Sequence, residues 1–296
     1  MSSVSQTPRS SAMPMALTAY LIWGLLPLYL MLVRDVPPFE FVGWRVIFTV
    51  PLCLLFIVLR RQGPDLFAAL ANRQVLRNLA LSALLIGTNW LIYIAAIQEG
   101  HVFAASLGYY INPLVNVLAG TLFLGERLTQ RQWWAVGLAT AGVAVLAWGA
   151  LDMVWISLSL AVSFSFYGLI RKITPVGSLP GLTIESAILL LPACAIALWY
   201  AQTPAGTSFG HDLSSSLLIA LSGVLTAVPL LLFAIAARRM DYSTMGFLQF
   251  LAPTIVFLLG LFVFHEPLRP VQLASFIAIW CAIALFVWDL FARRKA

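Results

Sequence analysis

The chain has 296 residues, of which 61% are hydrophobic and only 9% are charged, and its mean hydropathy is +0.96. A soluble domain usually carries about a quarter charged residues, and a chain this short cannot enclose so much apolar surface in a core surrounded by water. The lipid bilayer removes this difficulty because it solvates apolar outer faces. The composition therefore excludes an ordinary soluble protein and indicates an integral membrane protein.

Basic residues outnumber acidic ones, and the formal net charge is +6. They stand in short clusters between apolar runs, which is typical of helix ends at a membrane and not of the continuous basic patch that nucleic acid requires. We therefore predict the lipid bilayer and a small-molecule substrate as partners, and no nucleic acid.

Cysteine and histidine residues indicate no further chemistry. The cysteines all lie within apolar runs, which does not predict a disulfide framework, and the histidines are scattered without the spacing of metal ligands. We therefore predict no metal and no cofactor. The residues concerned are Cys53, Cys194, Cys281, His101, His211 and His265.

Ten apolar runs follow a polar tail over residues 1–14. A helix needs about 20 apolar residues to cross about 30 Å of hydrocarbon, and the runs meet or approach this length. The predicted fold class is thus an all-α integral membrane protein with ten transmembrane helices and a second short tail over residues 291–296. The predicted spans are residues 15–33, 41–59, 75–97, 102–124, 133–148, 154–170, 182–200, 217–236, 242–264 and 271–290.

The basic residues of the connecting segments predict the orientation. If the N-terminus is cytoplasmic, all but three of the 17 basic residues fall in inside segments, whereas Arg34 and Arg269 fall outside and Arg45 lies within a span. Such a bias over short loops indicates that both termini are cytoplasmic. The inside residues are Arg9, Arg60, Arg61, Arg73, Arg77, Arg127, Arg131, Arg171, Lys172, Arg238, Arg239, Arg293, Arg294 and Lys295.

Between the second and third predicted spans, residues 65–78 mix apolar and polar side chains. This pattern is typical of an amphipathic helix that lies in the membrane surface. A plain cytoplasmic loop is compatible with it as well.

A shift of 140 positions aligns the two halves of the chain. We interpret residues 15–148 and 154–290 as related halves of five spans each. Since five is odd, the second half enters the membrane from the opposite side, and such inverted repeats are typical of secondary transporters, whose substrate sites lie between the repeats. The matching pairs are Pro113 and Pro253, Gly120 and Gly260, Glu126 and Glu266, Leu128 and Leu268, Gln132 and Gln272, and Trp148 and Trp288.

Several motifs carry a resemblance to a known family: GYYINPLVN at 108–116, LGER at 124–127, SFSFYG at 163–168 and FLQFLAP at 247–253. With the repeat, they make the chain similar to the RarD-type ("chloramphenicol-sensitive") proteins of the EamA branch of the drug/metabolite transporter superfamily. The resemblance covers nearly the whole chain. It implies a ten-helix permease of the bacterial inner membrane, and it implies no particular substrate.

Two ionisable side chains lie inside predicted spans. Arg45 is in the second span, where a charge is costly and therefore indicates a role, and we predict that it binds an anionic or carbonyl group. Snorkelling to the outer interface is the alternative. Glu185 holds the equivalent position of the second half, in the seventh span, and a buried carboxylate suits a proton carrier. Because inverted repeats place equivalent residues at opposite depths, we predict no direct pair between them.

Amide and aromatic side chains of the spans are candidate substrate-binding residues. Aromatic walls with a few amides suit a flat, weakly polar ligand, whereas packing between helices is the alternative for the amides and packing in the core or at the interface for each aromatic ring. The candidates are Asn89, Trp90, Tyr93, Tyr109, Asn112, Asn116, Trp23, Tyr167 and Gln249.

Proline residues inside spans remove a backbone hydrogen bond and can kink the helix. Because Pro113 and Pro253 occupy equivalent places in the two halves, we interpret them as hinges of a rocking motion. A fixed helix shape is the alternative.

The repeat favours a secondary transporter of a small metabolite or drug-like molecule that works by alternating access, with a proton as the candidate coupling ion. A membrane-embedded enzyme and a non-transporting membrane sensor are the alternatives. The spans lack a cluster of acidic, histidine or cysteine residues, which disfavours an enzyme.

Overall fold

The computed structural model describes residues 12–99, 101–148, 154–265 and 270–295, and in these ranges the regular structure is helical throughout. The apolar runs form helices because a backbone in lipid must satisfy its own hydrogen bonds. The helices are α1 Ala12–Leu32, α2 Pro38–Leu59, α3 Gly63–Ala71, α4 Arg73–Gln98, α5 Val102–Leu124, α6 Gln130–Ala147, α7 Val154–Ile173, α8 Ser178–Ala201, α9 Leu213–Arg239, α10 Tyr242–Gln249, α11 Leu251–Phe262 and α12 Pro270–Lys295.

Nine spans within the described ranges are long and apolar enough to cross a membrane, with α10 and α11 together forming one of them. The all-α membrane fold class is therefore confirmed. The predicted fifth span corresponds to α6, which is not among the nine because its first turn, Gln130–Gln132, is polar. The count of ten stays a prediction.

The packing of α6 supports a tenth crossing. Thr129 Oγ1 donates a hydrogen bond of 3.0 Å to Asp289 Oδ2, and Gly142 packs against Ser275, so α6 runs antiparallel beside α12. The contact extends over about 13 residues of α6, or about 20 Å at 1.5 Å per residue. The outward face of α6, with Trp134 68% exposed, is apolar, which suits contact with lipid.

The relative direction of α5 and α7 also supports a membrane crossing by α6. Ser157 donates to the carbonyl oxygen of Ala104 at 2.6 Å, and Ser165 donates to Asn112 Oδ1 at 3.0 Å. Residue numbers therefore rise together along α5 and α7, which means that the two helices are parallel. Two parallel helices require a crossing between them, and α6 is the helix described between them.

Packing between the halves supports the repeat. The starts of α2 and α8, of α4 and α9, of α5 and α10, and of α6 and α12 are each related by the same shift that aligns the sequence pairs. The first helix of each half packs on helices of the other half: α1 on α9 and α11, and its counterpart α7 on α4 and α5. Gly43 of α2 lies against Ala193 of α8, and the equivalent pair, Cys53 and Thr183, is also in contact. Each contact between α2 and α8 thus has a counterpart in which the two halves trade places, as a twofold axis perpendicular to these antiparallel helices requires. The inverted symmetry remains a prediction.

Two local predictions meet different outcomes. The segment after α2 forms a helix, α3, which buries Ala69 beside Val75 while Phe67 stays 71% exposed, so the plain loop is wrong. Residues 73–78 belong to α4, and the place of α3 in the membrane surface stays a prediction. The two prolines differ, because α5 continues through Pro113 whereas the helix is interrupted at Phe250, three residues before Pro253. Their role as hinges stays a prediction.

Candidate functional site

A small cavity lies where α2, α4, α7, α8 and α9 meet, so both halves of the chain line it. Its walls are mostly apolar, and Glu185, Tyr167 and Thr226 are among the polar groups that reach it. We refer to it as the central cavity. Its volume of about 10 Å³ corresponds to one water molecule, so the cavity is too small for a substrate in this conformation. It lies between the halves, where an inverted-repeat transporter has its substrate site.

Glu185 forms a buried ion pair at one end of the central cavity. Its Oε1 lies 3.6 Å from Arg171 Nε and accepts a hydrogen bond from Ser82, while Arg171 Nη2 donates to the carbonyl oxygen of Ser178 at 2.8 Å. The side chains of the pair are 1% and 3% exposed. Gly181 leaves the space for the guanidinium, because a Cβ there would collide with Arg171 Nη1.

The pair is incompletely satisfied. Glu185 Oε2, Arg171 Nη1 and the hydroxyl of Tyr167 are buried and have no hydrogen-bond partner in the part of the chain that the structure describes. Buried polar atoms without protein partners are costly and call for an ordered water or another partner.

Sequence reasoning missed Arg171. It counted this residue among the cytoplasmic connecting segments, but α7 continues to Ile173 and folds the Arg171 side chain inward. That prediction is wrong for Arg171, which is a buried partner of Glu185. The predicted absence of a direct Arg45–Glu185 pair agrees with the geometry. The α2–α8 register separates the two by about six residues along α8, or about 9 Å.

Arg45 lies toward the other end of the central cavity. Its Nε donates a hydrogen bond of 3.0 Å to Thr226 Oγ1, and its guanidinium carbon is 5.3 Å from the Trp90 ring and 5.8 Å from the Phe41 ring. Both Thr226 and Trp90 line the central cavity. The arginine therefore points inward between helices, and snorkelling toward the lipid interface does not describe its position.

A second cavity of similar size lies between α4, α5 and α7 and is lined by Asn89, Tyr109 and Asn112 among others. The ring centroids of Tyr93 and Tyr109 are 5.8 Å apart. Asn89 also donates to Ser163 Oγ at 2.9 Å, so the amides join helices as well as facing a cavity. The candidate substrate-binding residues that reach a cavity are thus divided between two cavities.

Asn116, Gln249 and Trp23 pack between helices and line neither cavity. Asn116 donates a hydrogen bond of 2.5 Å to Gln249 Oε1 and so joins α5 to α10, which is the helix-packing alternative for these amides. Trp23 packs in an aromatic cluster with Phe164 and Phe233 at centroid distances of 5.7 Å. Tyr167 stacks on Phe233 in the same cluster but also reaches the central cavity.

Comparison with known proteins identifies relatives over nearly the full length. Residues 10–148 match the EamA-like transporter family. Protein RarD of Escherichia coli is 41% identical over 95% of each chain, and Protein RarD of Streptomyces exfoliatus is 41% identical over 94% of this chain and 89% of the relative. A Pseudomonas aeruginosa protein named as an uncharacterized transporter is 43% identical over 93% and 92%.

The fold also matches a solved structure. A crystal structure with 21% sequence identity superposes with a TM-score of 0.74 and covers 94% of this chain and 97% of the other. The relatives are bacterial and are named as transporters or RarD proteins. Together with the membrane-spanning helices, they support a multi-pass protein of the bacterial inner membrane.

Proposed function

Since this chain belongs to the EamA-like transporter family, with RarD-type proteins as relatives, we propose that it is a secondary transporter that moves a small molecule between its two halves by alternating access. The observation that carries the proposal is the central cavity, which both halves line and which contains the buried carboxylate of Glu185. A non-transporting sensor needs neither this cavity nor the exchanged packing of the halves.

Side chains at the two ends of the central cavity differ in how far they are buried. At the end that the sequence predicts as cytoplasmic, Arg171, Glu185 and Tyr167 are no more than 3% exposed. At the predicted outer end, Arg45 and Tyr93 are half-buried and Tyr109 is 46% exposed. We infer a conformation that is closed toward the cytoplasm. In the opposite state the Arg171–Glu185 contact separates, and the helices around Arg45 close.

Glu185 is also the candidate for coupling to protons. Protonation removes its charge, which weakens the attraction to Arg171 and favours separation of the pair. Opening of the closed end and uptake of a proton would then be linked, because both remove the ion pair. The charged groups of the described chain that act on this site are Arg171 and, through it, Arg238 at the end of α9.

A reversible crosslink tests the proposal. Asn78 of α4 donates a hydrogen bond of 3.3 Å to Thr174 Oγ1, which joins the halves at the closed end. In a chain without its native cysteines, Asn78→Cys and Thr174→Cys are combined, and counterflow of a metabolite and drug panel is measured in proteoliposomes. Oxidation should stop exchange of the transported compound and reduction should restore it. The two single-cysteine variants are the controls.

Two results would contradict alternating access. The first is full exchange by the crosslinked protein. The second is that no compound of the panel exchanges while the reduced protein stays folded, which would favour the sensor. Chemical conversion of a panel compound would instead favour the membrane-embedded enzyme.

A further inference from the structure

The inference concerns Arg45, and it rests on the proposed function. Within the described ranges no carboxylate lies within 4.0 Å of its guanidinium, and its Nε donates a hydrogen bond to the neutral hydroxyl of Thr226. A charge at this depth is costly unless it is paired or hydrated. A counter-charge from outside the chain would remove that cost.

Within the described ranges the two halves surround their equivalent ionisable residues differently. Arg45 and Glu185 occupy equivalent positions of the two halves. Tyr29 lies near Arg45 but donates its hydroxyl to the carbonyl oxygen of Leu218 at 2.8 Å. One half therefore closes with an internal ion pair, whereas the other presents a cation beside a neutral residue.

The surroundings of Arg45 define the shape of the counter-ion. Trp90 flanks the guanidinium, and the phenol groups of Tyr93 and Tyr109 lie within electrostatic range of it. With Nε on Thr226, the two Nη groups remain to bind two oxygens of one carboxylate side by side. Aromatic rings around them favour a planar, apolar body.

We propose that Arg45, with Trp90, Tyr93 and Tyr109, binds the carboxylate of a small planar organic anion, which is the substrate class of this transporter. A free anion is favoured over a lipid headgroup because Arg45 bonds to Thr226, which is 2% exposed and lines the central cavity. A free carboxylate and the phosphate of a lipid headgroup both present negatively charged oxygens to Arg45, so the experiment must separate them.

The test measures binding in detergent and does not depend on transport. The unfolding temperature of the purified full-length chain is recorded against increasing benzoate and indole-3-carboxylate, and against the uncharged amide of each. A ligand that binds the folded state raises this temperature in a saturable way. The carboxylates should stabilise the protein, and the amides should do so at about tenfold higher concentration or more, because hydrogen bonds to charged groups are the stronger ones.

Variants locate the effect. Arg45→Gln should abolish the response to carboxylates, and Arg45→Lys should restore it in part because lysine lacks the planar fork. Tyr29→Glu supplies an internal carboxylate and should also abolish the response, whereas Tyr29→Phe should keep it. The matched control is Arg34→Gln, which removes an exposed arginine that pairs with Asp35 at the predicted outer side.

Several outcomes would overturn the proposal. Equal stabilisation by carboxylates and amides, no stabilisation by either carboxylate, or an unchanged response of folded Arg45→Gln would each exclude an anion site at Arg45. Stabilisation that depends on Arg45 but comes from phosphatidylglycerol and not from the carboxylates would assign the arginine to a lipid headgroup. If the carboxylates bind but no compound exchanges in the crosslinking assay, the anion site stands and the proposed transport function fails.

Discussion

The buried ion pair between Arg171 and Glu185 offers a quantitative test of the closed state. Glu185→Gln keeps the size of the side chain but removes its charge, which leaves Arg171 buried without a counter-ion. At the observed separation of 3.6 Å, the attraction amounts to about 5 kcal/mol for an effective dielectric constant of about 20. Removal of one partner from a buried pair typically costs about 3–5 kcal/mol, so the two estimates agree.

The substitution removes this stabilisation from the closed state. In the proposed open state both groups would be hydrated, so the substitution would change the free energy of that state little. If about 3 kcal/mol is lost from the closed state alone, the ratio of open to closed molecules rises about 100-fold, since about 1.4 kcal/mol corresponds to a factor of ten. Some of the destabilisation should therefore be visible as opening rather than as unfolding.

Cys53 reports on this opening. Its side chain is fully buried on α2 and contacts Thr183, two residues before Glu185 on α8. In a background of Cys194→Ala and Cys281→Ala, the rate of Cys53 modification by a small charged thiosulfonate is measured from the predicted cytoplasmic side. Glu185→Gln should raise this rate at least about tenfold, because modification follows the population of open molecules.

The control is Asp65→Asn, which removes an exposed carboxylate of α3 on the same predicted side and should leave the rate unchanged. Arg171→Met combined with Glu185→Met should recover much of the lost stability, because a buried ion pair can be replaced by apolar side chains at little cost. A lower unfolding temperature of Glu185→Gln with an unchanged Cys53 rate would refute the gate and leave the pair a structural contact.

Three further outcomes follow from the packing. Gly223→Ala should lower the unfolding temperature, with a loss of about 1–3 kcal/mol in the free energy of unfolding, because a Cβ would lie 2.6 Å from the backbone of Phe48. The control is Gly137→Ala, whose Cβ would meet nothing within 4 Å and which should be neutral or stabilising. Equal effects of the two substitutions would contradict the packing. Glu126→Ala should shorten the half-life at elevated temperature, since Glu126 accepts backbone hydrogen bonds of 2.6 and 2.8 Å from Tyr242 and Ser243; an unchanged half-life would mean that solvent replaces this acceptor. A reporter fused after residue 296 should be cytoplasmic, and an external one would refute both the tenth span and the inverted repeat.

The repeat shows how far the sequence alone could lead. The matching starts of the helices in the two halves follow from the sequence pairs at the same spacing, because span length and loop chemistry are local properties. The difference between Pro113 and Pro253 could not be foreseen in this way. A proline removes one hydrogen bond in either helix, but the surrounding helices decide whether the backbone breaks there.

The candidate site was predictable in part. Arg45, Trp90 and Glu185 stand out because polar or aromatic side chains within an apolar span require partners, and all three lie at or beside the central cavity. Asn116 and Gln249 stood out for the same reason, yet they bond to each other between α5 and α10. Spacing along one helix cannot distinguish a cavity wall from a contact between two helices.

The sequence by itself determined the membrane class, the helical fold and the family, because composition, span length and motifs are carried by the order of residues alone. Only the tertiary structure decided that Arg171 leaves the predicted cytoplasmic surface to pair with Glu185, while Arg45 stays without a carboxylate in the described chain. The partner of a buried charge depends on which helices pack together and in which register. That information is held in contacts between residues far apart in the chain.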